Sequence, residues 1–307
     1  MALVSSNDIL IPAREKGYAV GAFNTSNIEI SQAIFEAAAE LKSPVMVATS
    51  ESAIKYAGFA NIFSTVKHLS EYYGVTAALH LDHGKDLEIA VKCLRHGWTS
   101  LMIDASKLEY EGNIAATAEA ARIAHFVGVP VEAELGKLAG VEDMVSVDER
   151  EATLTDPDQA ADFVERTGCD SLAVAIGTSH GAYKFKGEPE LDLDRLSVIA
   201  GKVTIPLVLH GASSVPKDVL DRAAKFGAKL PGAKGVPEDA LKQAIKRGIA
   251  KINIDTDLRL AFTGGVRQVL AESPEVFDPR KIVGEGRKAI KEVVRKKIQI
   301  FGSEGKA

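Results

Sequence analysis

Cysteine is almost absent from this 307-residue chain: Cys93 and Cys169 are the only two, and neither belongs to a Cys-x-x-Cys pair. Free, partly buried thiols in a reducing compartment are the expectation. The first residues, MALVSSNDILIPAREKG, lack both a cationic start and a long apolar core, which argues against a secretory signal. No apolar run reaches transmembrane length, so a cytoplasmic protein is expected. Excess positive charge is missing too. The 37 basic residues face 42 acidic ones, a net charge of −5, which argues against a nucleic-acid or anionic-membrane surface. The one basic-rich stretch, residues 287–297, repeats its apolar positions at helical spacing and reads as a solvated helix face. There is no Pro- or Ser-rich linker to divide the chain.

What is present is alternation. Eight β-branched or Ala-rich runs, residues 18–23, 45–49, 76–81, 100–103, 130–134, 171–176, 206–209 and 251–254, read as buried parallel strands. Helical patterns separate them, among them 28–42, 59–73, 86–96, 111–127 and 157–167, several closing on a glycine at a C-cap position. The fold class is α/β, a TIM (β/α)8 barrel forming one domain over residues 1–307. An extra N-terminal helix, residues 5–16, is placed to plug the barrel floor, and a helical extension follows the last strand. A doubly wound sheet is the rival, but the first strand runs into Asn24-Thr25-Ser26 with no Gly-rich nucleotide fingerprint.

Barrel active sites gather at the C-terminal strand ends. Here those ends carry Asn24; Thr49 and Ser50; Asp82 and His83; Asp104; Glu134; Thr178, Ser179 and His180; His210 and Ser213; and Asn253, Asp255 and Thr256. His83, His180 and His210 each end TAALHLDHG, SLAVAIGTSHG or IPLVLHG one residue before the closing glycine. Three neutral imidazoles converging with an open fourth position make a catalytic zinc site. Asp104 and Glu134 either orient those imidazoles or ligate a second divalent ion; the residues alone leave both open. His80, on the same side of the pleat as Asp82, reads as core or as support for the ligands, and His68, His96 and His125 as structural.

Gly211-Ala212-Ser213 and Asn253-Ile254-Asp255-Thr256 follow strands seven and eight, where barrels often bind phosphate; Gly181 and Lys184 add an amide and a cation. Plain helix capping by Ser213 and Thr256 is the alternative. Carbon–carbon cleavage beside a carbonyl needs an electron sink, either a lysine imine or a Lewis-acid metal. No lysine projects from the C-terminal half of a strand, since Lys251 starts the eighth, so the metal route is favoured. Asp82 is placed to exchange a proton with a substrate hydroxyl. Residues 136–155 are long for a strand–helix connection and suit a mobile lid carrying Glu142.

At LHLDHG, AELGKLAGVED, AIGTSHGAYK, LVLHGAS and KINIDTDLR the chain resembles the class II, metal-dependent fructose-bisphosphate aldolases, from about residue 17 to the C-terminal FGSEGKA. The resemblance implies zinc on His83, His180 and His210, with Asp104 and Glu134 at a second cation position, and a monovalent cation as a further candidate. It implies that Asp82 shuttles the C4 hydroxyl proton and that Glu142 exchanges a proton with dihydroxyacetone phosphate. Gly181, residues 211–213 and residues 253–256 match positions that hold this triose, and Asn24 joins the substrate contacts. Ser50 matches a contact to the aldehyde half. Arg259 and Arg280 are candidates for the second phosphate, Arg280 from across a dimer interface. The partners implied are phosphorylated ketose and triose phosphates and further copies of the chain, as a homodimer or homotetramer. Relatives that cleave tagatose bisphosphate usually carry a small residue where Asp255 stands, which favours the fructose form. A metallohydrolase is disfavoured because no His-x-His pair follows the first strand. A sugar-phosphate binder without turnover leaves Asp82 and Glu142 unexplained.

Overall fold

The computed structural model describes residues 3–137, 139–142, 145–147, 153–180, 190–229 and 234–307, with backbone alone at 139–142, 145–147 and 179–180. The strands are β1 Val20–Asn24, β2 Val45–Ser50, β3 Ala77–Gly84, β4 Ser100–Ile103, β5 Val131–Leu135, β6 Ala139–Glu142, β7 Val145–Val147, β8 Ser171–Val174, β9 Ser179–His180, β10 Leu207–Leu209 and β11 Ile249–Ile254. Eight of them close a parallel barrel in the order β1-β11-β10-β8-β5-β4-β3-β2. All eight expected barrel strands are there. The expected boundaries differ where function begins: β3 runs on through Asp82 and His83, and β11 starts two residues early, so Lys251 sits inside the strand.

Strand and helix alternate because each strand is buried on both faces. One face packs on the helices and the other fills the barrel. The outer layer includes Val47, Leu79, Leu101, Ala133, Leu172, Leu209 and Ile252, packed against helix residues such as Ile34, Phe35, Phe163, Leu196 and Ile290. A separate inner cluster of Val20, Ala22, Met46, Ala48, Ala78 and Ala250 meets Ile9, Leu10 and Ala13 of the helix Ser6–Lys16. That helix, held at its start by a capping box between Ser5 and Asp8, lies beneath the barrel as expected.

Beyond the barrel, β6 pairs antiparallel with β7 and parallel with β9. The expected lid segment thus folds in part as a ribbon, and His180 lies in this side sheet rather than in a barrel strand.

Residues 287–297 belong to the helix Pro279–Phe301, and they are not a simply solvated face. Arg287 reaches Glu36 and Gln32, Lys291 and Arg295 reach Glu40, and Lys296 reaches Asp218. Lys297 is 1% exposed and pairs at 2.8 Å with the fully buried Asp257. Asp257 also accepts from the backbone N–H of Ser214 (3.2 Å) and Val215 (2.8 Å), which fixes the loop after β10, where Val215 adopts φ +46°. The basic stripe is therefore a seam joining the C-terminal helix to its neighbours. Cys93 and Cys169 are free and buried. Among the described residues no helix is long and apolar enough to cross a membrane.

Candidate metal centre and substrate pocket

Alternation along three strands stacks two polar layers inside the barrel. His80 and Asp82 of β3, Glu132 and Glu134 of β5, and Lys251 and Asn253 of β11 are each two residues apart, so each pair faces inward. The lower members meet one another. Lys251 Nζ lies 2.8 Å from Glu132 Oε2, 3.0 Å from Oε1 and 3.3 Å from His80 Nε2, while His80 Nδ1 lies 2.7 Å from Ser100 Oγ. All three are essentially inaccessible to solvent. Lysine 251 and Glu132 had no place among the candidates read from the sequence. The signal available was a charged residue in each of two otherwise apolar runs, two positions before a mouth residue.

The upper members form the mouth. Asp82 accepts from Asn24 Nδ2 (2.8 Å) and Asn253 Nδ2 (2.9 Å), so both carboxylate oxygens are held as acceptors. In a regular strand His83 would turn its side chain away from the face that Asp82 lines. Instead His83 adopts φ +49°, and the pairing of β3 with β4 shifts register between Leu81 and Gly84. That left-handed residue, costing on the order of 1–3 kcal/mol, lets consecutive side chains reach one site. His83 Nδ1 lies 2.9 Å from Asp104 Oδ2 and 4.0 Å from Glu134 Oε2. His210 Nε2 lies 2.8 Å from Glu132 Oε1, and His210 Nδ1 lies 2.8 Å from His83 Nε2.

The tautomers follow from those partners. Nδ1 of His83 and Nε2 of His210 carry the protons, because each faces a carboxylate. Their other ring nitrogens face each other 2.8 Å apart, an arrangement satisfied by a shared proton or by a cation in its place. Three further facts agree. Glu134 Oε2 is buried and makes no hydrogen bond among the described residues. Burial and the adjacent Asp104 raise the Glu134 carboxyl well above its usual range. Burial opposes charge on His83, yet Asp82, Asp104 and Glu134 outweigh it and raise that imidazole well above its ordinary value. Asp82, His83 and His210 bring one ligand atom each within 4.8 Å of one another, and so do His83, Asp104 and Glu134. The donor set, imidazole nitrogen with carboxylate oxygen, suits a zinc-type ion.

Two of the three expected imidazoles are thus together. The side chains of His180 and Glu142, and all of Gly181 and Lys184, lie outside the described residues.

The centre opens into a cavity of about 530 Å3 lined in part by Asn24, Ser50, Asp82, His83, Asp104 and Asp255. An adjoining hollow of about 450 Å3 shares Asn24, Ser50 and Asp255 and adds Arg259, whose guanidinium meets Asp255 at 2.8 and 2.7 Å. Ala212, Ser213 and Asn253 are buried at the strand ends, with Gly211. Ile254 is fully buried in the outer core, so only its backbone can face the mouth. The helix Thr256–Glu272 starts without a side-chain cap, so capping does not explain Thr256, and the helix Lys217–Lys225 likewise makes none. Arg280 is 89% exposed, meets Asp278 at 2.9 Å and lines neither hollow. His68 and His125 sit on helices and His96 ends one, as structural residues should.

A closed parallel barrel with imidazoles and carboxylates clustered at its strand ends defines a barrel enzyme of the metal-assisted kind. The family model described as "Fructose-bisphosphate aldolase class-II" matches residues 4–306. The chain is 53% identical over 305 residues to a fructose-bisphosphate aldolase of Thermus caldophilus, covering 99% of this chain and 100% of that one. It is 38% identical to the D-tagatose-1,6-bisphosphate aldolase subunit GatY of Klebsiella oxytoca, at 99% coverage of each. The crystal structure of the YdjI aldolase from Escherichia coli superposes with a TM-score of 0.81 at 37% identity, covering 99% of both chains. This chain belongs to the class II fructose-bisphosphate aldolase family. Class II aldolases are metal-dependent, and the described residues include two groups able to hold an ion.

Proposed function

We propose that the chain catalyses reversible cleavage of fructose 1,6-bisphosphate to dihydroxyacetone phosphate and glyceraldehyde 3-phosphate, with zinc as its cation. The observation that carries this reading is the convergence of ring nitrogens, His83 Nε2 and His210 Nδ1 2.8 Å apart, with Asp82, Asp104 and Glu134 around them. His83, His210 and His180 hold the ion, and Asp104 and Glu134 support it or take a second cation. When bound, the ion supplies Lewis-acid stabilisation of the negative charge that develops beside the carbonyl. Lys251 does not supply the alternative imine, because its ammonium is buried against Glu132 and His80.

Asp82, fixed by Asn24 and Asn253 with both oxygens as acceptors, takes the C4 hydroxyl proton as the C3–C4 bond breaks. Glu142 returns a proton to the triose carbon. Asn253, Asp255, Thr256, Gly211–Ser213, Gly181 and Lys184 hold the triose phosphate. Ser50 and Arg259 share a hollow suited to the aldehyde half, and Arg280 serves the second phosphate from another copy in a cytoplasmic homodimer or homotetramer. Asp255, 7% exposed at the cavity edge, favours the fructose configuration at C4 over tagatose.

Stripping the protein with a chelator should abolish release of triose phosphate from fructose 1,6-bisphosphate, and zinc should restore it. Cleavage that survives complete metal removal would refute the reading, and faster cleavage of tagatose bisphosphate would overturn the substrate assignment.

A further inference from the structure

Barrel interiors are normally filled with Val, Ile and Leu, and an ion pair there is rarely the most stable filling. Glu132 and Lys251 are 2% and 0% exposed, and they occupy the layer directly beneath the mouth. Their geometry is not that of an isolated pair. Glu132 Oε1 accepts from Lys251 Nζ at 3.0 Å and from His210 Nε2 at 2.8 Å. The ammonium also reaches Oε2 and His80 Nε2, and His80 is in turn fixed by Ser100. The carboxylate is thus clamped from below by a lysine from β11 and touches, from beneath, one imidazole of the mouth.

We infer that Glu132 and Lys251 form a positioning pair for His210: Glu132 accepts the Nε2–H hydrogen bond and fixes the ring plane, so Nδ1 is aimed at the ion, while Lys251 pins Glu132 to the floor. This rests on the metal centre proposed above and adds two residues to it. Without a clamp, β5 would offer two inward carboxylates, Glu132 and Glu134, within one strand of the same ion. With it, only Glu134 faces the mouth. A carboxylate behind a ligating imidazole typically contributes about 10–100-fold in metal affinity.

The test separates positioning from packing. The double variant Glu132→Leu/Lys251→Met replaces the buried pair by apolar groups of similar volume, which is often neutral for stability. It should melt cooperatively near the parent temperature, yet bind zinc about 10–100-fold more weakly in competition with a chromophoric chelator. With cobalt in place of zinc, its visible ligand-field bands should shift from those of the parent. A double variant that binds zinc as tightly as the parent, with unchanged cobalt bands, overturns the inference. If that variant does not fold, Glu132→Gln decides. It keeps an acceptor but loses the charge, and should weaken zinc by roughly three- to tenfold, below the range for full loss; unchanged affinity overturns the inference. A parent chain that takes up no divalent cation refutes the metal centre itself, an outcome distinct from a parent that binds zinc beside variants that bind it equally well.

Discussion

Glu132 and Glu134 stand two residues apart on one strand, equally buried, and their environments push them in opposite directions. Glu132 suffers the same desolvation as its neighbour, but Lys251, His210 and His80 outweigh it and hold the carboxyl well below its usual range. Glu134 has Asp104 beside it, and His83 at 4.0 Å does not offset that and the burial, so its carboxyl is held well above that range. Among the described residues the floor carboxylate meets a lysine, whereas Asp104 and Glu134 in the mouth meet an imidazole. That difference between adjacent layers locates the chemistry more sharply than burial or polarity, which the two share.

Three measurements break or sharpen the contrast. The largest effect is expected at Asp82, which the mouth holds but does not use as packing. Asp82→Ala should lower cleavage by about 10²–10⁴-fold, the usual worth of a positioned proton-transfer group, while zinc content by elemental analysis stays at the parent level. A comparable loss of zinc would reassign Asp82 from proton transfer to metal binding.

Glu134→Gln removes the carboxylate that lacks compensation. Near neutral pH the metal-free variant should melt higher than the metal-free parent, because the folded chain no longer has to hold a carboxyl protonated that the unfolded chain ionises, and its zinc affinity should fall by about 10–100-fold. A lower melting temperature would mean that Glu134 already has a partner.

The smallest effect lies in the floor. Burial, reinforced by Lys251, lowers the His80 imidazole from 6.5 to about 3. Above pH 6.5 the ring is neutral in folded and unfolded chains alike. Below that the unfolded chain takes a proton that the folded one resists, so stability falls as pH drops toward 3, by about 2 kcal/mol at pH 5. His80→Gln should flatten that part of the urea-denaturation profile against pH. A profile as steep as the parent's would place the acid sensitivity elsewhere.

The barrel and most of its mouth were legible because both depend on local pattern. Eight apolar runs mark the strands, and the polar residue ending each run marks the face where barrels do chemistry. The floor was not legible, because Glu132 and Lys251 find each other across 119 residues of sequence, and a lysine near a strand start reads as an edge residue. His83 was read as a strand-end ligand, but not its left-handed backbone, which follows from a register shift against β4. The stripe at 287–297 has the helical spacing expected. Its burial at Lys297 depends on Asp257, 40 residues earlier, which no periodicity can report.

That distant partnership has a consequence for how the protein becomes competent. The turn after β10 owes its shape to the Asp257 carboxylate, and Asp257 is neutralised only when Lys297 arrives. A ribosome that has delivered every barrel strand has therefore still not delivered what fixes the loop after β10. Any cut or fusion that disturbs the C-terminal helix should therefore reach a loop at the strand-end face of the barrel, 82 residues before Lys297 at Val215.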